Sequence, residues 1–151
     1  MEKIEGAFDE TQKRFFNAKA GAYSRVTERE GKIGGDRSVT IDKREKKIVF
    51  QSFTEADIPR QSKEASGHDG FLFRVFRVGT LGKPGKLKLV FPKREGRELR
   101  LYFSQKMGFV PEPGDIWFVF QDAVEPTSLV VGHCTHQQWL DWEAIWSMKL
   151  T

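Results

Sequence analysis

The chain has few of the residues that form disulfides and metal sites. Among its 151 residues are one cysteine and three histidines. A lone cysteine, Cys134, excludes an internal disulfide, which is typical of proteins in a reducing compartment. It lies beside His133 and near His136, but a structural zinc site takes four ligands and no second Cys/His pair supplies the rest. We therefore predict neither a metal nor a cofactor, and we interpret the two histidines as strand-end residues beside a helix cap.

Long apolar runs are also absent. No stretch approaches the roughly 18 apolar residues of a membrane-spanning helix. The charged beginning, MEKIEGAFDE, lacks the apolar segment of a signal peptide. These features predict a cytoplasmic protein that does not enter membranes. With 38% hydrophobic residues the chain can bury one core but not two, so we expect a single domain over residues 1–151.

Positive charge is concentrated in one part of the chain. The formal net charge is only +4, but residues 83–106 include eight lysines and arginines against two glutamates. Residues 107–151 are acidic by contrast. One side of the molecule should therefore be positive, which suits a polyanionic partner such as nucleic acid.

Alternation of apolar and polar residues predicts a series of short strands. The clearest are residues 71–78, 86–91, 97–104, 115–121 and 128–134. Residues 22–37 are rich in charge and glycine and are predicted to be irregular or to form a hairpin. Residues 38–41 and 47–53 are predicted to form a β-hairpin around the charged turn DKRE.

Helices are predicted at both ends of the chain. Apolar residues recur at helical intervals over residues 4–20. Near the other end, Thr135 and Gln138 form a capping-box pattern. One apolar face follows it: Trp139, Trp142, Trp146 and Leu150. We expect a mainly β fold, an open β-pseudobarrel of short, mostly antiparallel strands with flanking N- and C-terminal helices.

A polar segment over residues 53–73, FTEADIPRQSKEASGHDGFLF, separates two apolar runs. Loops of this length in small domains are uncommon and are usually functional or disordered. The segment is rich in side chains that bond to phosphates and base edges, although a plain solvated connector has a similar composition. A second basic segment, PKREGRELR over residues 92–100, favours a binding function.

These segments resemble a known family. FTEADI followed by SGHDGFLF resembles the hallmark of DNA-binding pseudobarrel domains in type II restriction endonucleases, such as the effector domain of the EcoRII family. There a Thr/Ser-x-x-Asp segment precedes a Gly-His-x-x-Gly-like turn and an apolar strand. The later stretch REGRELRLYFSQKMGFVPEPGDIWFVF is similar to the family's Arg-x-Glu-x-Arg arm, glycine turn and closing strand. That domain is related in fold to the plant B-three transcription-factor domain.

The resemblance implies an open barrel that grips the major groove of double-stranded DNA between two arms. We expect no catalytic or metal-binding residue in this chain, and our first hypothesis is the binding part of a restriction enzyme whose nuclease domain lies outside it. The implied DNA-binding residues are Arg60, Gln61, Ser62, Lys63, Ser66, His68 and Asp69 in the first arm, and Lys93, Arg94, Arg97, Glu98 and Arg100 in the second. The predicted phosphate contacts are Lys83, Lys86, Lys88 and Lys106.

The chemistry of these side chains agrees with DNA recognition. Arginine bonds bidentately to guanine, glutamine bonds to adenine, and glutamate accepts a hydrogen bond from the amino group of cytosine. Glu98 is the most specific candidate, because an acid among arginines reduces phosphate affinity unless it reads a base or orients its neighbours. The alternative for Glu98 is an ordinary ion pair with Arg97 or Arg100.

Two other functions remain open at this point. One is a PUA-like RNA-binding barrel, since basic β-rich domains with a strand after Gly-Asp are also common there. The other is a small metal-dependent nuclease built on the acid-x-Lys spacing, which also arises by chance in charge-rich turns. Its candidate residues are Glu30, Lys32 and Asp36, or Glu45, Lys47 and Asp42.

Overall fold

The structure is a computed structural model that describes residues 4–60, 69–77 and 80–148. These residues form two β-sheets, four α-helices and one short 3₁₀ helix. The strands are β1 (Glu5–Ala7), β2 (Ala18–Arg25), β3 (Ser38–Ile41), β4 (Phe71–Arg77), β5 (Thr80–Leu81), β6 (Gly85–Leu87), β7 (Leu89–Val90), β8 (Leu99–Tyr102), β9 (Ile116–Asp122) and β10 (Leu129–Cys134). The helices are α1 (Glu10–Phe16), α2 (Glu28–Gly31), α3 (Lys43–Val49) and α4 (His136–Met148), and the 3₁₀ helix is Glu55–Asp57.

The larger sheet has seven strands in the order β1-β2-β9-β10-β4-β5, with β6 also paired to β4. Its pairs are antiparallel except for β10 with β4, which run parallel. The smaller sheet has the order β3-β8-β7 and is antiparallel. Lys88 lies between β6 of the larger sheet and β7 of the smaller one. The chain therefore passes from one sheet to the other at Lys88.

Strand β9 separates two apolar cores, because every one of its residues is buried. Trp117 and Val119 point into a core shared with β4 and with the smaller sheet. Phe118 and Phe120 point the opposite way, into an aromatic core that includes Trp139 of α4. Burial on both faces explains why this strand reads as an unbroken apolar run.

The helices begin at side-chain caps that satisfy their first free N–H groups. Asp9 caps α1, and its side chain accepts a hydrogen bond from the Gln12 backbone N–H. Asp42 caps α3 through the N–H groups of Arg44 and Glu45. The predicted capping box of the last helix is confirmed, since the Gln138 N–H donates to the Thr135 hydroxyl at 3.1 Å.

Two predicted elements are wrong, and residues 22–37, predicted to be irregular or a hairpin, contain instead the end of β2 and helix α2. Residues 4–20 are not one helix: Asp9 caps a short α1, Asn17 ends it in a left-handed conformation, and strands β1 and β2 lie on either side. The predicted hairpin over residues 38–53 has only its first strand, because residues 43–49 form α3 instead. Ile48 and Val49 lie three and four positions after the buried Glu45, which is helical spacing.

The strong strands were predicted correctly. β4, β9 and β10 lie within one or two residues of their expected positions, while residues 86–91 form two short strands rather than one. The structure confirms a mainly β fold with helices near both ends. The two sheets do not close into a barrel within the described residues. No helix in this part of the chain is long and apolar enough to cross a membrane.

Candidate nucleic-acid interface

The described ends of the first predicted arm contact the neighbouring strands. Arg60 forms a bridge with Phe91 beside the second arm. A Cβ added to Gly70 would lie 2.7 Å from the carbonyl oxygen of Leu87. Asp69, just before this point, is exposed. Five predicted contacts lie outside the described residues: Gln61, Ser62, Lys63, Ser66 and His68.

Arg60 joins the two arms. Its guanidinium lies 4.2 Å from the centroid of the Phe91 ring. It donates hydrogen bonds to the carbonyl oxygens of Gly96 at 2.8 Å and Arg94 at 3.2 Å, and it forms an ion pair with Glu55 at 2.6 Å. These groups occupy much of the guanidinium, so this arginine holds the arms together rather than extending freely from them.

The loop over residues 92–98 is held by its backbone while its cationic side chains point outward. Lys46 of α3 donates to the carbonyl oxygen of Arg97 at 2.5 Å, in addition to the bonds from Arg60. The side chains of Lys93, Arg94 and Arg97 are exposed, and they have no ion pair or hydrogen bond with any described residue. Three cations are therefore presented on a fixed loop and are free to contact an anion.

Glu98 and Arg100 differ from those three cations. Arg100 is only 15% exposed, and it forms ion pairs with Asp36 at 2.8 Å and Glu98 at 2.9 Å and a hydrogen bond with Ser38. Burial opposes its charge, but the hydrogen bonds to Glu98 and Asp36 raise its pKa above the ordinary value. Hydrogen bonding to Arg100 lowers the pKa of Asp36. The alternative of an intra-strand ion pair for Glu98 is thus observed, with Arg100 as the partner.

The Glu98 side chain still has capacity to bind. Arg100 bonds to its Oε2 atom, whereas Oε1 has no partner among the described residues. The side chain is 39% exposed. An exposed carboxylate oxygen held in place by an arginine is suited to accept a hydrogen bond from a base amino group.

The four predicted phosphate contacts lie at the other end of the β7–β8 pair. The loop over residues 92–98 joins one end of this pair, while Lys88 and Lys106 flank the other end. At about 3.3 Å per residue, the four residues of β8 separate the two ends by roughly 13 Å. Lys83, Lys86 and Lys106 line a groove together with Arg77. Sequence reasoning did not select Arg77, although its position at the end of a strand that enters a basic segment is a usable signal.

The carboxylates proposed for metal-dependent cleavage have structural partners. Glu30 accepts hydrogen bonds from the backbone N–H groups of Thr27 at 2.8 Å and Thr40 at 2.6 Å. Glu45 is fully buried and accepts from the Asp42 N–H and the Ser24 hydroxyl. Burial raises the pKa of Glu45 to about 8. Within the described ranges, no three Asp, Glu, His or Cys side chains converge closely enough to hold a metal ion.

Both ring nitrogens of His133 also have partners within the protein. Its Nε2 atom accepts a hydrogen bond from the Val110 N–H at 3.3 Å, and its Nδ1 atom lies 3.2 Å from an Asp115 carboxylate oxygen. The neighbouring Cys134 is buried, and burial raises its thiol pKa to about 12. His136 contacts Arg25 at 3.3 Å. Both nitrogens of His133 therefore fasten the turn before β9 to strand β10.

Comparisons with models of known protein families, with curated proteins and with solved structures find no match. The likeness to restriction-enzyme pseudobarrel domains stays a prediction from the sequence.

Proposed function

We propose that the chain is a sequence-specific double-stranded DNA recognition domain. The observation that carries this proposal is the linkage of the two arms by Arg60 beside three outward cations, Lys93, Arg94 and Arg97. A loop that is fixed by its backbone loses little conformational entropy when its side chains bind, which favours a specific partner over a diffuse one.

The spacing of charge supports a duplex partner. The arm loop and the lysines at the far end of β7–β8 are roughly 13 Å apart along β8, which is close to the width of the major groove of B-DNA, about 12 Å. Arms in the groove therefore leave Lys88 and its neighbours over the flanking phosphates, where contacts add affinity without reading sequence. Glu98, with one oxygen available, is the base-reading candidate.

In this proposal the two sheets, joined at Lys88, act as an open pseudobarrel. Cleavage of DNA belongs to a nuclease domain outside this chain, in the cytoplasm. The candidate catalytic carboxylates Glu30 and Glu45 cap helices and tie strands, which favours a structural role for these two residues.

Selection from a randomised duplex pool tests the proposal. The protein is incubated with the pool and excess non-specific competitor DNA without divalent metal, and the retained fraction is sequenced. Enrichment of one short motif is expected. A triple variant of the arm, Lys93→Gln with Arg94→Gln and Arg97→Gln, should lose that enrichment.

The matched control removes the same charge elsewhere. Lys19, Lys43 and Lys47 are exposed and lie on β2 and α3. Changing all three to Gln should preserve the motif. Equal loss of enrichment in both triple variants would mean that the arm cations act only through the net charge of the protein and do not recognise a sequence. Retention of structured RNA in preference to duplex DNA would select the RNA-binding alternative.

A further inference from the structure

The groove beside strand β4 concentrates positive charge in a small volume. It measures about 520 Å³ and lies between the β5–β6 segment and the turn over residues 104–107. Four cationic side chains line it: Arg77, Lys83, Lys86 and Lys106. No carboxylate from the described residues lines it, and none of the four side chains has an ion pair or hydrogen bond with another described residue.

The walls of the groove are fixed in place. The Met107 N–H donates to the Ser104 hydroxyl at 3.2 Å, which closes the turn. Strand β6 approaches this turn so closely that a Cβ added to Gly85 would lie 2.0 Å from the Met107 sulfur. Any larger residue at position 85 would therefore displace the Met107 side chain from this wall.

Arg77 lies beside the same turn. A Cβ added to Gly108 would lie 3.1 Å from the Nη2 atom of Arg77, and Gly108 itself has a φ of +77° that favours glycine. A side chain at position 108 would therefore crowd the guanidinium at the groove. A guanidinium presents a planar pair of donors that matches two oxygens of one phosphate group.

Several cations around one cavity attract a compact anion that carries more than one negative charge. A phosphomonoester carries nearly two negative charges and three acceptor oxygens. Val75 and Met107 add an apolar surface beside the cations, which suits the sugar or base attached to a phosphate. A cavity of this volume is in the range that holds one small ligand. A whole duplex, whose major groove alone is about 12 Å wide, is too wide to enter it.

We propose that this groove binds the phosphomonoester of a nucleotide, with Arg77 as its bidentate contact. The nucleotide is either free or the 5′ end of a strand. The strand-end form rests on the proposed DNA recognition, because it presumes a nucleic-acid partner, whereas the free form does not. Arg77 then has a role distinct from that of the arm residues, which contact internal phosphates and bases.

Nuclear magnetic resonance titration tests the inference. Backbone amide shifts of residues 82–86 and 104–108 are followed while deoxyadenosine 5′-monophosphate, deoxyadenosine or inorganic phosphate is added. We expect the nucleotide to shift these amides and to bind at least about tenfold more tightly than the nucleoside. Arg77→Gln should weaken nucleotide binding about tenfold, and Lys47→Gln, on the exposed face of α3, should leave it unchanged.

A second pair of ligands identifies the source of the phosphate. A DNA hairpin with a 5′-phosphate is compared with the same hairpin carrying a 5′-hydroxyl. Tighter binding of the phosphorylated hairpin that depends on Arg77 assigns the groove to strand ends. Binding of the mononucleotide alone assigns it to free nucleotides.

Failure of this inference differs from failure of DNA recognition. Equal binding of nucleotide and nucleoside, or equal effects of Arg77→Gln and Lys47→Gln, overturns the groove site even where the duplex selection enriches a motif. Nucleotide binding that depends on Arg77 upholds the groove even where the selection enriches nothing. An unchanged thermal unfolding midpoint in Arg77→Gln ensures that lost binding reflects the groove rather than the fold.

Discussion

The guanidinium of Arg60 lies 4.2 Å from the centroid of the Phe91 ring, and from there it bonds to two carbonyl oxygens of the following loop. One side chain thus links the end of the described first arm to the start of the second. Stacking on an aromatic ring and charge-assisted hydrogen bonds together hold a guanidinium in one orientation. The relative position of the arms depends on this contact.

Arg60→Met should loosen the second arm while keeping an apolar side chain on Phe91. The variant loses the hydrogen bonds to Gly96 and Arg94 and the ion pair with Glu55, so we expect a loss of about 1.5 kcal/mol in the free energy of unfolding. Amide hydrogen exchange over residues 93–97 should accelerate, and DNA affinity should fall with it.

Arg94→Met is the matched control, because the Arg94 side chain is exposed and has no partner among the described residues. It should weaken DNA binding without changing the exchange of residues 93–97. If Arg60→Met leaves exchange as slow as in the wild type, Arg60 does not hold the loop.

Glu98→Gln separates base recognition from stability. The ion pair with Arg100 involves a carboxylate that is 39% exposed, so its loss should cost less than about 1 kcal/mol. The change from an acceptor to a mixed donor and acceptor should alter the preferred base at one position of the selected motif. Repeating the pool selection with this variant measures the change. An unaltered motif would show that Glu98 does not read a base and serves only in the ion pair with Arg100.

Lys88→Gln should weaken binding to every duplex alike. Lys88 is exposed at the corner between the two sheets and is predicted to contact a phosphate. Loss of one phosphate contact should make the slope of log K against log salt shallower by about 0.9. Titrations at several salt concentrations, with a selected duplex and an unrelated one, check this. A change in the preference between the two duplexes would count against a role in phosphate contact alone.

The sequence predicted best those strands that are apolar on both faces. β9 and β10 lie between two cores, so their composition alone reveals them. Helix α3 was missed because residues 47–53 alternate like a strand. The capping-box pattern of Asp42 and Glu45 was available in DKRE and outweighs that alternation, since it satisfies the first N–H groups of a helix.

The candidate site was less predictable because its contacts are distant in sequence. Arg60 bonds to carbonyl oxygens 34 and 36 positions away. Ser38 lies 62 positions from Arg100. The sequence shows where the arginines are, but only the fold shows which of them have ion-pair partners. Arg100 is paired with two carboxylates, whereas the side chain of Arg94 has no partner among the described residues.

The ion pair between Asp36 and Arg100 should stabilise the fold cooperatively. Asp36→Asn and Arg100→Ala remove the two partners separately, and the double variant removes both. We expect a coupling energy of about 1 kcal/mol, because Arg100 is only 15% exposed and is also held by Ser38 and Glu98. Urea unfolding at pH 7 measures it. Strict additivity of the two single changes would show that the pair contributes nothing beyond its separate members.

The same pair predicts a loss of stability in acid. Arg100 lowers the pKa of Asp36, so the folded state holds fewer protons there than the unfolded state. This contribution is present above the ordinary carboxyl pKa of 3.8 and is lost as the pH falls through the lower folded value. Asp36→Asn should therefore lessen the acid sensitivity of unfolding, whereas Glu112→Gln, at an exposed carboxyl, should not.

Glu45 predicts the opposite pH dependence, between pH 4.5 and about 8. Burial raises its pKa from 4.5 to about 8, although hydrogen bonds from Asp42 and Ser24 act against that shift. The folded state consequently binds more protons than the unfolded state over this range. The free energy of unfolding should fall as the pH rises, by at most about 1.4 kcal/mol per pH unit, and should level off above pH 8.

Glu45→Gln keeps the carbonyl oxygen that caps α3 but cannot ionise. It should match the wild type in stability near pH 5 and exceed it at pH 8, with a flat profile between. Urea unfolding at pH 5, 6, 7 and 8 measures both profiles, and Glu112→Gln, at an exposed position, should follow the wild type. Parallel profiles for wild type and Glu45→Gln would mean that the pKa of Glu45 is not raised in the folded state and that this carboxyl reaches water there.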